Sequence, residues 1–456
     1  MIKKLPDTLI IIFTILVIFT LLTWLIPAGE YQREVVNGRE VIDPDSFSFV
    51  EAEPQGLFDL LQAPIAGFQS AAQIIAFILL VGGAFSIINA TGAIDAALQY
   101  VVSYSYRYPA SKKWILPIII TLFSLAGATF GMSEEVLVFI LITIPLARAL
   151  NYDVLVGVAI PFLGAGAGFA GAFANPFTIG VAQGIAELTP FSGMEYRLVV
   201  WLCFTVAVNI FILRYCFLLD RNRITPYHTN ASLNAAPEQV SFTILRKIIL
   251  ILFALTIVLL IYGVNEWDWY INEIAALFVG LGIFSAVLGR LKMQKTIDAF
   301  IEGAKDLMPA ALVVALSKGM LILATDGKII DTILYNLAGL ADGMPGYLSI
   351  QVMFLVQSLF NFFLPSGSGQ AALTMPIMAP LSDLLGIGRQ TAVLAFQFGD
   401  GISNLIIPTS GVTMGVLSIA KIPYEKWLKW SLPIIIAFTI LAMLLLIPPV
   451  LFFEWA

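Results

Sequence analysis

Acidic side chains set inside long apolar runs are the residues of this chain best placed to do chemistry. Asp400 stands between Gly399 and Gly401, about ten residues into an apolar stretch, with Asn404 one helical turn further on. At 1.5 Å per residue it would lie about 15 Å deep in hydrocarbon. A carboxylate there is costly and marks function by default, the plain alternative being an acid paired structurally to a lysine. Glu134 and Glu135 follow Ser133 in a polar break, Gly131-Met132-Ser133-Glu134-Glu135. Ordinary helix capping explains that pattern, with Ser133 as N-cap and the acids in the first turn. The chemical reading is a seat for a cation, either an ion or the ammonium of a bound solute. Lys318, midway between Leu312 and Leu323, is a candidate counter-ion to Asp400 or to a solute carboxylate, or else it snorkels.

Three more breaks interrupt apolar segments: Asn175-Pro176-Phe177-Thr178, Pro365-Ser366-Gly367-Ser368-Gly369-Gln370 and Pro408-Thr409-Ser410-Gly411. Each mixes Pro or Gly with hydroxyl or amide side chains. Inside a bilayer, interrupted helices leave backbone groups that must line a wet cavity or be satisfied by protein. In return, half-helix ends offer N–H donors to anions and carbonyls to cations. The expected solute-binding set is therefore Ser133, Glu134, Asn175, Thr178, Ser366, Ser368, Asp400, Asn404, Thr409 and Ser410. Glu134, Glu135 and Asp400 are the expected seats of a coupling Na⁺ or H⁺, and no other metal or cofactor is expected.

The elements that must carry these residues follow from composition. Of 456 residues, 59% are hydrophobic and 12% charged, about half the charge of an ordinary soluble domain. Runs near 20 apolar residues recur, the length that crosses roughly 30 Å of hydrocarbon. Continuous spans are expected at about 8–28, 71–92, 197–219, 245–264, 270–289, 307–326 and 430–453. The first outlasts a signal-peptide core and reads as an uncleaved helix. Segments 154–190 and 391–422 read as broken helices, and 112–150 and 346–386 as helical hairpins that re-enter or span. Trp267, Trp269 and Tyr270 read as an interfacial aromatic belt. Arg148 and Asp153 read as interfacial charges. One histidine, His228, and two cysteines, Cys203 and Cys216, leave no metal spacing or catalytic triad to argue. A basic surface for nucleic acid and a GxxxxGK[ST] phosphate loop are absent from the sequence.

Lysines and arginines orient the chain. Five basic clusters (Lys3-Lys4; Arg107 with Lys112-Lys113; Arg214 to Arg223; Arg290 to Lys305; Lys421, Lys426 and Lys429) fall on one side if the N-terminus is cytoplasmic and the C-terminus external. The two halves also match. Gly180-Val-Ala-Gln-Gly184 pairs with Gly411-Val-Thr-Met-Gly415, each preceded by a proline (Pro176, Pro408) and followed by another (Pro190, Pro423). Glu195-Tyr196-Arg197 pairs with Tyr424-Glu425-Lys426, Pro145-Leu146 with Pro380-Leu381, and Thr91 to Asp95 with Asp326 to Asp331. With the expected orientations the copies are inverted across the membrane. The fold class is thus an all-α polytopic membrane protein with an inverted-topology repeat, two re-entrant hairpins and two broken helices. Residues 1–55 form the first helix and an external loop, 56–220 the first repeat, 221–306 a cytoplasmic loop with connecting helices, and 307–456 the second repeat.

Inverted repeats with broken helices at the midplane are the architecture of secondary carriers. The breaks in residues 131–135, 174–178 and 364–369, with Gly399 to Asn404 and Pro408 to Gly411, resemble the C4-dicarboxylate anaerobic carrier-like (DcuC/YfcC-type) family of the ion transporter superfamily. The resemblance covers about residues 56–453. It implies a dimeric scaffold, a transport domain bearing two hairpins, and an elevator-like shift coupled to Na⁺ or H⁺, with substrates ranging from C4-dicarboxylates to basic amino acids. The expected activity is symport or exchange of a small carboxylate-bearing solute across a bacterial inner membrane. A channel or facilitator for small organic ions is the alternative, and a membrane-embedded enzyme has no constellation to support it. A periplasm-active reporter fused after Ala456 is expected to give signal, and one at Asn230 none; the reverse at both positions overturns the inversion.

Overall fold

The computed structural model describes residues 8–36, 39–43, 46–97, 100, 109–175, 177–189, 192–227, 241–267, 269, 271–339, 344–452 and 455. Lys3, Lys4, Arg107, Pro176, Pro190, His228, Asn230, Tyr270 and Ala456 lie outside them. Eighteen helices run through the described residues. α1 (Thr8–Leu25) leads through a loop to α2 (Leu57–Ser70) and α3 (Ala72–Ala90). α4 (Pro109–Phe130) and α5 (Val136–Ala149) flank the first expected hairpin break. α6 (Val154–Ala170) and α7 (Ile179–Ile185) flank the next break, and α8 (Met194–Asp220) follows. α9 (Ile244–Glu266), α10 (Ile271–Leu288) and α11 (Met293–Asp326) lead to the short α12 (Ile330–Ala338). α13 (Gly346–Phe360) and α14 (Gly367–Leu384) then bracket the second hairpin break, and α15 (Arg389–Ser403) and α16 (Gly411–Ala420) the last break. α17 (Tyr424–Leu445) and α18 (Pro448–Leu451) close the order.

Length separates two kinds of helix. Among the described residues, five apolar segments are long enough to cross a membrane: α3, α8, α10, α11 and the run Tyr424–Leu451. The arms α5 and α13 have 14 and 15 residues, about 21–23 Å at 1.5 Å per residue, short of the hydrocarbon thickness. α11 has 34 residues and starts well before the span expected at 307–326. Its first turns, with Lys295, Asp298, Glu302 and Lys305, continue the helix beyond the apolar stretch. Charge moves a helix out of lipid; it does not end it.

Local chemistry fixes the ends. Gly131 and Gly193 take left-handed φ of +69° just before the first tip and just before α8. Asp153 caps α6, accepting from Val156 N–H at 3.2 Å, and also accepts from Tyr215 Oη at 2.7 Å and the Tyr227 N–H at 3.0 Å. It is 1% exposed, held inside the protein by three donors.

Packing sorts the helices into two bodies. α1, α2, α3, α10 and α11 pack on one another, with α9 beside α10. α4 to α8 pack with α13 to α18. The two groups meet chiefly where α16 lies on α11. The loop after α1 adds four short strands: β1 (Gly29–Glu30) pairs with β4 (Ser48–Phe49), and β2 (Arg33–Val36) with β3 (Arg39–Ile42), both antiparallel. It grips α12, the connector between the bodies. Arg33 meets Asp331 at 3.0 Å, Tyr31 N–H donates to Asp331 at 3.0 Å, and Phe47 stacks on Tyr335 at 4.1 Å. Burial raises the Asp331 carboxyl above its ordinary value, with the Tyr31 amide and Arg33 pulling the other way.

Each body contains helix crossings too close for a side chain. A Cβ on Gly67 of α2 would stand 2.0 Å from Ala315 O of α11, and one on Gly319 of α11 2.6 Å from Ala63 O. In the other body, a Cβ on Gly168 of α6 would stand 1.7 Å from Ser124 O of α4, and one on Gly127 of α4 2.1 Å from Ala165 O. Lipid offers no hydrophobic drive between helices, so close backbone approach over small residues supplies the contact. Gly168→Ala therefore forces α4 and α6 apart, a change of the kind that costs about 1–3 kcal/mol. Thermal unfolding of the purified protein should show a lowered midpoint for Gly168→Ala. Gly280→Ala, whose Cβ would meet nothing within 4 Å, should match the wild type.

Candidate functional site between the two bodies

Stopping a helix inside the protein leaves carbonyls to satisfy, and each break here has named donors. At the α6–α7 break, Gln397 of α15 donates to Phe169 O at 2.6 Å. Ala128 O of α4 accepts from Phe173 N–H at 3.3 Å and Ala174 N–H at 3.1 Å. Asn175 Oδ1 accepts from Phe177 N–H at 2.9 Å. At the α15–α16 break, Thr413 Oγ1 donates to Asn404 O, Trp427 Nε1 to Leu405 O at 3.0 Å, and Tyr424 Oη to Ile406 O at 2.7 Å. Ser410 caps α16, accepting from Thr413 N–H.

The two hairpin tips lie against these breaks. Ser133 N–H donates to Glu135 Oε2 at 3.0 Å, and Glu135 itself is the N-cap residue of α5. Ser133 as N-cap is thereby corrected; the acid folds back onto the tip. A Cβ on Gly131 would fall 2.6 Å from Asn175 Oδ1, so tip and break touch directly. At the other tip, Ser366 is the N-cap residue of α14 without a side-chain cap bond. A Cβ on Gly367 would lie 2.5 Å from Thr178 Cγ2 and 2.8 Å from Asp400 Oδ2. Only a glycine lets this tip close over the Asp400 carboxylate.

Asp400 is fully buried. Its Oδ1 accepts from Asn404 Nδ2 at 2.7 Å, and its backbone carbonyl from Asn361 Nδ2 at 3.2 Å. Its Oδ2 has no partner, and neither do the buried Thr178 Oγ1, Asn175 Nδ2 and Thr409 Oγ1. Among the described residues no ion pair joins Asp400 to Lys318 or to another base.

A cavity of about 210 Å³ opens where the tips meet the other body. That is below the roughly 300–1,000 Å³ of sites for drug-sized ligands. One wall is Val314, Ser317, Lys318 and Leu321 of α11, with Ile74 of α3 and Ile271 of α10. The facing wall is made of residues 131–136, 177–178, 365–368, 404–405 and 410–412, with Phe162 and Phe169. Nine of the twelve residues singled out in the sequence thus reach the cavity: Ser133, Glu134, Glu135, Thr178, Lys318, Ser366, Ser368, Asn404 and Ser410. Asn175, Asp400 and Thr409 are buried behind its wall. Sequence reasoning passed over Ser317 on the wall, Asn361 behind Asp400, and Gln397. The signal was present: Asn361 and Gln397 are amides within apolar runs, one shortly before a tip and one a turn before Asp400.

Charge is distributed unevenly. Glu134 and Glu135 occupy the tip wall, with Asp400 beneath Gly367, and Lys318 stands alone on the α11 wall. Hydroxyls of Ser317, Ser366, Ser368 and Ser410 fill the space between. An ammonium and a carboxylate on one small solute match such a cavity at its two sides.

Comparison with known proteins gives the family. A protein of Escherichia coli (strain K12) carrying the provisional name of basic amino acid antiporter YfcC is 36% identical over 93% of this chain and 92% of its own. An uncharacterized protein of Haemophilus influenzae (strain ATCC 51907 / DSM 11121 / KW20 / Rd) is 27% identical over 97% and 96%. Two solved structures are distant likenesses. The Alcanivorax borkumensis YdaH transporter has a TM-score of 0.46 and 15% identity over 97% of this chain and 98% of its own. Neisseria gonorrhoeae MtrF, described with a class of antimetabolite efflux pumps, has a TM-score of 0.46 and 17% identity over 100% and 97%. The sequence model of the C4-dicarboxylate anaerobic carrier family matches residues 5–450, and the chain, a multi-pass membrane transporter, belongs to that family.

Proposed function

We propose that this carrier is an ion-coupled secondary transporter of a small amino acid-like solute, a basic amino acid being the best fit, and that it works by an elevator-like shift. The observation that carries the proposal is the convergence of both tips and both breaks on one small cavity facing α11. The α11 body is the scaffold, the site of any dimer contact, and the hairpin body moves. The short arms α5 and α13 suit hairpins that enter and leave from one side, and the motif copies at 180–184 and 411–415 each begin the helix after a break. These features support an inverted repeat, and the basic clusters of the sequence support a cytoplasmic N-terminus.

Charge separates the solute classes. Two like charges 4 Å apart repel by about 4 kcal/mol at an effective dielectric near 20. A dicarboxylate would bring two negative charges toward Glu134 and Glu135 with one lysine to receive them. An amino acid brings its own ammonium to the tip acids and offers its carboxylate to Lys318 and the serines. The name of the Escherichia coli relative points the same way, whereas the family description favours a C4-dicarboxylate, which the cavity would accept only with its acids protonated or cation-bound. Asp400, with one oxygen held by Asn404 and the other unpartnered, is the seat for the coupling Na⁺ or H⁺.

Proteoliposomes loaded with unlabelled lysine or arginine should take up the labelled amino acid by counterflow and show none with succinate or fumarate. Saturable counterflow of dicarboxylates alone would overturn the solute class, and conduction without exchange would overturn the carrier. In the same assay Lys318→Gln should raise KM at least about tenfold, the loss of one charge-assisted hydrogen bond being worth about 1.5–3 kcal/mol. Asp400→Asn should still bind solute while losing the dependence of binding on Na⁺ or pH. Wild-type coupling in Asp400→Asn would make Asp400 a structural acid.

A further inference from the structure

Away from the cavity, a buried cation stands out. Arg197, in the first turn of α8, is 0% exposed. Its Nη2 donates to Gln390 Oε1 at 3.2 Å and to Gln390 O at 3.4 Å, while Nε and Nη1 have no partner. The Gln390 amide is already shared: Gln183 Nε2 donates to its Oε1 at 3.1 Å, and its own Nε2 donates to Ser192 Oγ. Trp455 covers the guanidinium at 5.0 Å. Glu187 and Asp383, acids on the neighbouring segments, are both exposed and both held by Arg389. No carboxylate among the described residues pairs with Arg197.

A guanidinium stays protonated in proteins, and a buried charge without compensation is strongly disfavoured. The matching residue of the other half, Lys426, resolves this by lying exposed. Arg197 is sealed under an indole instead. It also sits at the amino end of the 15-residue α15, where the cap residue Gly388 has no side chain to offer. Thr391 Oγ1, buried in the first turn of α15, likewise has no partner. A helix amino terminus, two unpartnered guanidinium nitrogens and an unpartnered hydroxyl all favour negative charge.

We infer that Arg197, Thr391 and the amino end of α15 form a site for a singly charged anionic group, separate from the solute cavity. Gln390 lies about 15 Å along α15 from Asp400 at 1.5 Å per residue. The bound anion compensates Arg197 and ties α8 to α15, so the stability of the hairpin-bearing body depends on it. The negative charge comes from a free inorganic anion or from a lipid phosphate.

The test uses the purified full-length protein in detergent, with sodium gluconate replaced stepwise by sodium chloride at constant ionic strength. The thermal midpoint of the wild type should rise saturably by a few degrees, and that of Arg197→Gln should stay flat. Should Arg197→Gln fail to fold, Thr391→Val, which keeps the guanidinium, should raise the half-saturating chloride concentration at least about threefold. A wild type indifferent to chloride but stabilised by phosphatidylglycerol over phosphatidylcholine micelles, again through Arg197, identifies the lipid phosphate as the source and supports the site. Indifference to both, or an equal response in the Arg197 and Thr391 variants, overturns it.

Discussion

A helix that ends inside hydrocarbon leaves backbone carbonyls and amides exposed to a medium that cannot bond them, and this constraint organises the whole molecule. The answer differs at each break. At the second, aromatic and hydroxyl donors from α16 and α17 take the three carbonyls of Asn404, Leu405 and Ile406. At the first, an amide from α15 reaches across to Phe169 O. Satisfying the carbonyls through neighbours welds the breaks into one body. The groups left without partners, Thr178 Oγ1 and Asp400 Oδ2 among them, then lie beside the tips.

The close glycine crossings extend the same logic. With no water to drive apolar surfaces together, helices are held by approach of backbone to backbone, and each body has its own close crossings. Gly367 uses the same device for chemistry, since its missing side chain brings a hairpin tip onto a carboxylate. Stability of the bodies and construction of the site thus rest on the same residue type.

Much of this was legible in the sequence. The apolar runs gave the helices, and Pro, Gly and hydroxyl clusters gave all four breaks, because breaking a helix in lipid demands those residue types. Asp400 and Lys318 stood out because charge in an apolar run is rare. What stayed hidden depends on contacts between distant segments. The donors that hold Asp153, Tyr215 and Tyr227, stand on a distant segment of the chain. Gln397 and Asn361 look like ordinary polar residues until the carbonyls they serve are located. The extension of α11 back to Met293 was missed because charged turns were read as loop. Arg197 matched Lys426 in the repeat, and nothing in the pattern said that one would be sealed and the other exposed.

The central claim is that the hairpin-bearing body moves relative to α11 while keeping its own shape. Distances between spin labels measure this directly in a background lacking Cys203 and Cys216. One label at Trp267→Cys reports the α9–α10 turn of the scaffold, and one at Leu384→Cys the end of α14; both positions are exposed. The account predicts two distance populations for this pair, with their ratio shifted by solute or by the coupling ion. A control pair within the moving body, Leu384→Cys with Leu451→Cys, should keep one distance throughout. A single unchanging distance for the first pair under every condition, with transport intact, would contradict it.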